Sequence, residues 1–304
     1  MQKVRQTKVL KLFVLSLVAV FLLPALAGCG QRDQGNSAVD DAKVLKIGGI
    51  PDQDVAQLEK QFNAVAKYLS EELGIKVEYV PSVDYAALLT AFERGEIHLA
   101  WFGGLTGVQA QAAVPGAEAI AQRPRDAKFH SVFIKQSVLP IEKLEDLKGK
   151  TFTFGSESST SGHLMPRFFL KQAGIVPEKD FNGGPNYSGS HDKTYKLVET
   201  GAFQAGALNE AVWEKAVQEG KVDTSKVQVF YTTPDFFDYN WTVNANVDEE
   251  FGQGTKEKIK EALLSIGPEQ SEILELFQTD SFVETKNENY DAIREVAKEL
   301  GIIK

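Results

Sequence analysis

A single cysteine, Cys29, is the only thiol in 304 residues, so no disulfide can form within the chain. There are only four histidines, His98, His130, His163 and His191. None joins Asp, Glu or Cys at a metal-ligand spacing, which excludes a zinc site of the usual kind. Basic residues are too few for a nucleic-acid surface: 33 Lys and Arg stand against 42 Asp and Glu, a net charge of −9. Long apolar runs are scarce as well. The one at Leu12 to Leu23 is too short, and ends in residues too small, to make a comfortable membrane span. No short-period internal repeat is present.

That apolar run follows a basic stretch with Lys3, Arg5, Lys8 and Lys11 and no acid, and precedes Leu26-Ala27-Gly28-Cys29. The arrangement is that of a secretory signal, and its end resembles the bacterial lipobox. Cleavage before Cys29 and diacylation of its sulfur are expected, giving an extracytoplasmic protein anchored to the bacterial membrane by lipid. Residues 1–28 are then the signal peptide, and the polar stretch 29–43 a flexible tether. Loss of the four basic residues leaves the mature chain at about −13, so an anion would have to be held by local dipoles against the overall field.

Past the tether, apolar strand-like runs alternate with helical periodicity. Val44 to Ile50 is followed by Val55, Leu58, Phe62, Val65 and Leu69 at spacings of three and four. Gly74 closes that helix. Strands are expected at Lys76–Val80, Ile97–Phe102 and Ala117–Gln122. The pattern restarts with strands at Phe129–Ile134, Thr151–Phe154, Ala205–Leu208 and Val227–Tyr231, and a last strand at Tyr239–Val243. The tail reads as helices with no further strand. Such alternation predicts an α/β protein of two lobes, each a mostly parallel sheet flanked by helices. Lobe 1 is expected over 44–128 plus 240–304, with lobe 2 (129–239) inserted and two crossing strands near His130 and Tyr239 as the hinge. In such sheets ligands lie beyond the carboxyl ends of the strands. The turns there are Ile50-Pro51-Asp52, Ser82 to Tyr85, Trp101 to Thr106, Gly155 to Ser161, Tyr187 to His191 and Leu208-Asn209-Glu210.

Among these, Gly155 to Pro166 (GSESSTSGHLMP) concentrates the chemistry. A strand ends in four consecutive hydroxyl residues, Ser158 to Ser161, and opens a helix. Backbone N–H groups, hydroxyls and the positive end of a helix dipole converge there, an anion site that needs no Lys or Arg. A plain Ser or Thr helix cap is the alternative.

Two stretches, GSESSTSGHLMP and YSGSHD (Tyr187 to Asp192), resemble the PhnD-like phosphate, phosphite and phosphonate-binding proteins of ABC importers. Three more, AWFGGLTGVQA (Ala100 to Ala110), AGALNEAVW (Ala205 to Trp213) and FDYNWTV (Phe237 to Val243), resemble the branch named putative selenate-binding proteins. The likeness extends over residues 44–303. It implies a type II periplasmic-binding fold closing on a tetrahedral oxyanion, with an ABC permease and its ATPase as partners, no cofactor, and a monomer. By the same resemblance Ser159, Thr160 and Ser161 hold the anion's oxygens and His191 is a further donor. Tyr85 is the family's aromatic after the second strand, Trp101 and Phe102 form the other wall, and Asn209 stands where phosphonate-binding members commonly carry Asp.

An uncharged Asn209 favours a fully deprotonated anion such as selenate or sulfate, while Asp192 or Glu210 could still accept a proton from phosphite or a phosphonate. His98 and His130 read as structural. His163 either helps or points outward, and Tyr239 and Trp241 are hinge packing or ligand contacts. An enzyme is the competing reading, a hydrolase or transferase of phosphate or sulfate esters with Ser159 or Ser161 as nucleophile and His191 as base. Against it, no third, orienting acid is evident.

Overall fold

Strand β1 (Leu45–Gly49) is an inner strand of its sheet, buried except at Lys46. The computed structural model describes residues 43–304, so the expected signal segment, Cys29 and nearly all of the tether lie outside the described residues. The helix after β1, Val55–Leu73, forms as its periodicity predicts. Asp54 accepts from the Gln57 amide at the start, and Gly74 ends the helix at φ 66°, a left-handed turn that only glycine adopts cheaply. Its buried stripe of Leu58, Phe62, Val65 and Leu69 packs on the sheet. Each such side chain contributes about 1.5–3 kcal/mol of burial. Phe62 comes so close to β1 that a Cβ at Gly49 would lie 2.1 Å from the ring. Only glycine fits beneath it.

Among the described residues, ten further strands complete two sheets. β2 (Val77–Tyr79), β3 (Leu99–Phe102), β4 (Glu118–Gln122), β10 (Asn240–Val243) and β11 (Val283–Glu284) join β1 in the order β11-β4-β10-β3-β1-β2. β5 (Ser131–Gln136), β6 (Phe152–Phe154), β7 (Pro185–Tyr187), β8 (Ala205–Asn209) and β9 (Val227–Thr232) form a second sheet in the order β7-β6-β8-β5-β9. Helices cover both sheets, with an apolar core in the six-stranded half and smaller ones in the five-stranded half.

The sheets are mixed rather than mostly parallel. β1 pairs parallel with β2 and β3, and β6 with β7 and β8. By contrast, β10 runs antiparallel to β3 and β4, and β5 antiparallel to β8 and β9. The cause is topological. The chain leaves the first sheet after β4 and returns as β10 from the opposite end, so a strand fed by a crossing segment must oppose its neighbours. The two crossing segments bond to each other: Phe129 and Phe236 exchange backbone bonds at 2.8 and 3.0 Å, and the Asp238 amide donates to Asp126 O at 3.0 Å. Two short edge strands had no sequence expectation. β7 begins at a proline inside a stretch that reads as a turn, and β11 puts a two-residue strand in the tail expected to be wholly helical. Strands this short carry no alternation to read.

Candidate functional site

The hydroxyl-rich turn lies where the two halves meet and is sealed from solvent: Ser159, Thr160, Ser161 and His191 are each no more than 3 % exposed. The helix beginning at Thr160 opens with a wide, π-type turn. Ser159 serves as its N-cap, its hydroxyl accepting from the Gly162 amide at 2.9 Å and its carbonyl from Leu164. As the first residues of the turn, Thr160 and Ser161 have no intrahelical acceptor for their amides. The cap and the anion site of the sequence reading are thus one construction.

Tyr85, at the first turn of the helix Tyr85–Glu93, comes from the other half and is 2 % exposed. Its hydroxyl has no hydrogen-bond partner, and neither has Ser161 Oγ nor Asp238 Oδ2. Buried polar groups are normally paired, at a cost of about 1–3 kcal/mol when they are not. Burial drives the Tyr85 phenol well above its usual range, helped by the nearby Asp52 and eased by Ser159. The Asp238 carboxyl is pushed up to about 7, first by burial, against the Gly104 amide and the Thr160 and Ser161 hydroxyls. Ser161 eases that charge without making a hydrogen bond to it.

His191 opens the helix His191–Glu199 and is fully buried. Its ring lies against the Gly155–Gly162 turn, where a Cβ on Gly162 would meet its Cε1 at 3.0 Å. Nδ1 accepts from the Asn209 amide at 3.3 Å, which leaves the proton on Nε2, 3.4 Å from the Tyr239 hydroxyl. Burial lowers its pKa to about 3. The ring is neutral and a donor through Nε2. Tyr239 donates in turn to Asp52 Oδ2 at 2.7 Å, and the Asp52 carbonyl accepts the His191 amide at 2.9 Å across the two halves. Asp52 titrates near 6, raised by burial and lowered by Tyr239 and Arg123.

Several residues take other places than expected. Phe102 is wholly buried on the opposite face of β3, edge-on to Phe92. Period-two alternation sends Trp101 to the other face, where it stacks on Tyr239 at 5.6 Å. Asn209 caps the helix Glu210–Gln218 through Oδ1 and donates Nδ2 to Tyr239 at 2.8 Å, so it orders the network. Asp192 is taken by the Ser190 hydroxyl, and Glu210 lies near Arg125. Neither carboxylate is the orphaned acceptor. His163 does not reach solvent: it is 5 % exposed, its ring bonded to Glu157 O and Arg167, and Trp241 is core. His98 and His130 make structural bonds, to the Lys46 amide and to Thr233 O. Among the described residues no cluster of metal-ligating side chains occurs.

Asp238, Asp52 and Arg123 were not singled out from the sequence. Asp52 stood in a turn marked as cleft-lining, and Asp238 and Tyr239 in the FDYNWTV stretch. Arg123 qualifies the expectation of a site without basic residues. Its guanidinium binds Asp126 through Nε and Nη2 and Phe277 O through Nη1, and lies 5.1 Å from the Tyr239 ring centre. It acts on the site through that aromatic wall. Ser159 and His191 do not form a nucleophile–base pair, since Ser159 Oγ caps its own turn and His191 Nδ1 faces an amide.

Comparison with known proteins agrees with this geometry. Residues 47–290 match the family model described as ABC transporter, phosphonate, periplasmic substrate-binding protein. The chain belongs to this family. It is therefore a substrate-binding component of an ABC transporter and not an enzyme. It is 42 % identical over 272 residues to a probable ABC transporter phosphite binding protein, PhnD1, of Prochlorococcus marinus, covering 86 % of this chain and 91 % of that one. The structure of PhnD1 in complex with methylphosphonate superposes with a TM-score of 0.82 at 40 % identity, over 86 % of this chain and 99 % of the other. A phosphonates-binding periplasmic protein of Escherichia coli is 24 % identical over 88 % of this chain and 80 % of its own length.

Proposed function

We propose that this binding protein captures a small phosphorus oxyanion that can carry a proton, of the phosphite and methylphosphonate class, between two hinged lobes (44–128 plus 240–304, and 129–239). The observation that carries this is the trio of buried, unpartnered atoms: Tyr85 Oη and Ser161 Oγ as donors, Asp238 Oδ2 as acceptor. With the neutral Nε2–H of His191, that set complements an anion presenting several bare oxygens and one O–H. A selenate or sulfate dianion brings no proton, so it meets Asp238 favourably only when the carboxyl itself is protonated. The acceptor role assigned to an Asp in phosphonate-binding relatives falls here to Asp238, and Asn209 no longer argues for selenate. The binding of methylphosphonate by the relative PhnD1 supports the same class.

The site residues are buried, and a small cavity touching Asp52 and Tyr239 holds about 20 Å³, room for a single water at most. Ligand entry therefore needs the lobes to part about the crossing segments near His130 and Tyr239. Closure on the anion is the form delivered to the permease. Diacylation of Cys29 would keep this monomer at the membrane, within reach of the permease.

Calorimetric titration with phosphite, methylphosphonate, phosphate, sulfate and selenate at pH 7 is the test. Phosphite or methylphosphonate should bind at least about tenfold tighter than selenate, the cost of one mismatched buried polar pair. Tighter binding of selenate would overturn the ligand class and restore the selenate branch.

A further inference from the structure

The helix Gly104–Ala113 begins without a side chain to cap it, because its N-cap is Gly103. A Ser, Thr or Asp at an N-cap normally accepts from the amide two or three residues on. Here the amides of the first turn are taken by three different residues. Thr106, from the same helix, accepts from Gly103 at 3.0 Å, and Asp238, from the returning crossing segment, accepts from Gly104 at 3.0 Å. The Leu105 amide goes to Thr160 Oγ1 at 2.9 Å, on the hydroxyl-rich turn of the opposite half. Thr160 thus performs across the interlobe boundary what an N-cap residue performs within one helix. A side chain at the N-cap would crowd both partners, since a Cβ at Gly103 would lie 3.1 Å from Thr160 Oγ1 and from Asp238 Oδ1.

Thr160 therefore differs from its neighbours. Ser161 has a free buried hydroxyl, and Ser159 caps its own turn. Thr160 Oγ1 accepts from the Leu105 amide of lobe 1, and its hydroxyl eases the charge of Asp238. We propose that Thr160 is a closure latch rather than an anion contact: a positioning residue whose hydroxyl caps the Gly104–Ala113 helix only while the lobes are together. This deepens the oxyanion-binding reading and rests on it. When the lobes part, the Leu105 amide loses Thr160 and turns to water. Because Thr160 lies between Ser159 and Ser161, the turn that grips the anion is also the turn that completes the helix, so ligand capture and lobe closure become one event.

Amide exchange followed residue by residue, with and without methylphosphonate, tests this in the wild type and in Thr160→Val, Thr160→Ser and Gly103→Ala. In the wild type the ligand should slow exchange at Leu105 by at least about tenfold. Thr160→Val should abolish that protection at Leu105 and retain it at Gly104, which Asp238 serves. The same variant should speed ligand dissociation about two- to thirtyfold, the worth of one helix cap, with the association rate unchanged. Thr160→Ser keeps the hydroxyl and should restore both properties. Gly103→Ala, which pushes on the latch from lobe 1, should also hasten dissociation. If the ligand protects the Ser156–Gly162 turn yet leaves Leu105 unaffected, the latch is overturned while the binding site stands. A Thr160→Val variant slowed in association alone would make Thr160 an anion contact and equally end the proposal. If no anion protects any amide of that turn, the oxyanion reading fails and the latch falls with it.

Discussion

The two walls of the site are built in opposite ways. The wall from the five-stranded half is a short continuous segment, Gly155 to Gly162, with His191 laid over it. Its donors are neutral and its geometry follows from local rules of strand, cap and helix start. The facing wall is assembled from four distant pieces: Asp52 after β1, Tyr85 after β2, Trp101 on β3, and Asp238 with Tyr239 on the returning crossing segment. It supplies the carboxyls, the aromatic packing and, behind them, the buried Arg123. Donors can be gathered by one turn because backbone amides point the same way at a helix start. A buried acceptor with a shifted pKa needs surroundings drawn from several parts of the chain.

Five substitutions set the two walls against each other. The largest effect is expected behind the facing wall. Arg123→Met leaves Asp126, which is fully buried, without its guanidinium. It should cost about 3–5 kcal/mol of stability by urea unfolding; a loss below about 1 kcal/mol would mean that Arg123 is not what holds the crossing segments together. Next come Tyr85→Phe and Ser161→Ala, one from each wall. Each removes an unpartnered donor, so methylphosphonate affinity should fall about 5- to 150-fold while the thermal midpoint without anion holds or rises. A drop in midpoint with affinity preserved would show these hydroxyls to be packing groups.

Asp238→Asn sharpens the contrast in charge. It should move the phosphite-to-selenate preference at least about tenfold toward selenate by competitive titration. The sign of its pH dependence follows from the raised pKa. With a folded value of about 7 against an ordinary 3.8, the folded protein holds a proton through that window that the unfolded chain has released. Stability from this group therefore falls as pH rises from about 4 to 7. Selenate, which needs the protonated carboxyl, should bind about tenfold more weakly per pH unit above 7, and Asn should remove that slope. His191, lowered to about 3 from 6.5, acts oppositely on stability, which rises with pH across that interval. The smallest effect is expected at His163. Although it adjoins the hydroxyl-rich turn, its ring nitrogens are engaged by Glu157 O and Arg167, and His163→Gln should change affinity less than about twofold.

What could be read from the chain alone was whatever depends on neighbours in sequence. Alternating strands and helices, the glycine stop at Gly74, and the cap-like run at Ser159 to Ser161 all rest on local backbone geometry, and the structure bears them out. The side of β3 that faces the other half was not legible, because Trp101 and Phe102 are both apolar and both buried, and only the packing of Phe92 against Phe102 decides between them. Nor was the use of Asn209, whose type suits a ligand donor as well as the cap and Tyr239 bond it makes. Asp52, Asp238 and Arg123 look in sequence like ordinary turn and loop charges. Asp52 and Asp238 owe their properties to desolvation and to partners dozens to more than a hundred residues away, while Arg123, paired with Asp126 three residues on, is buried by tertiary packing.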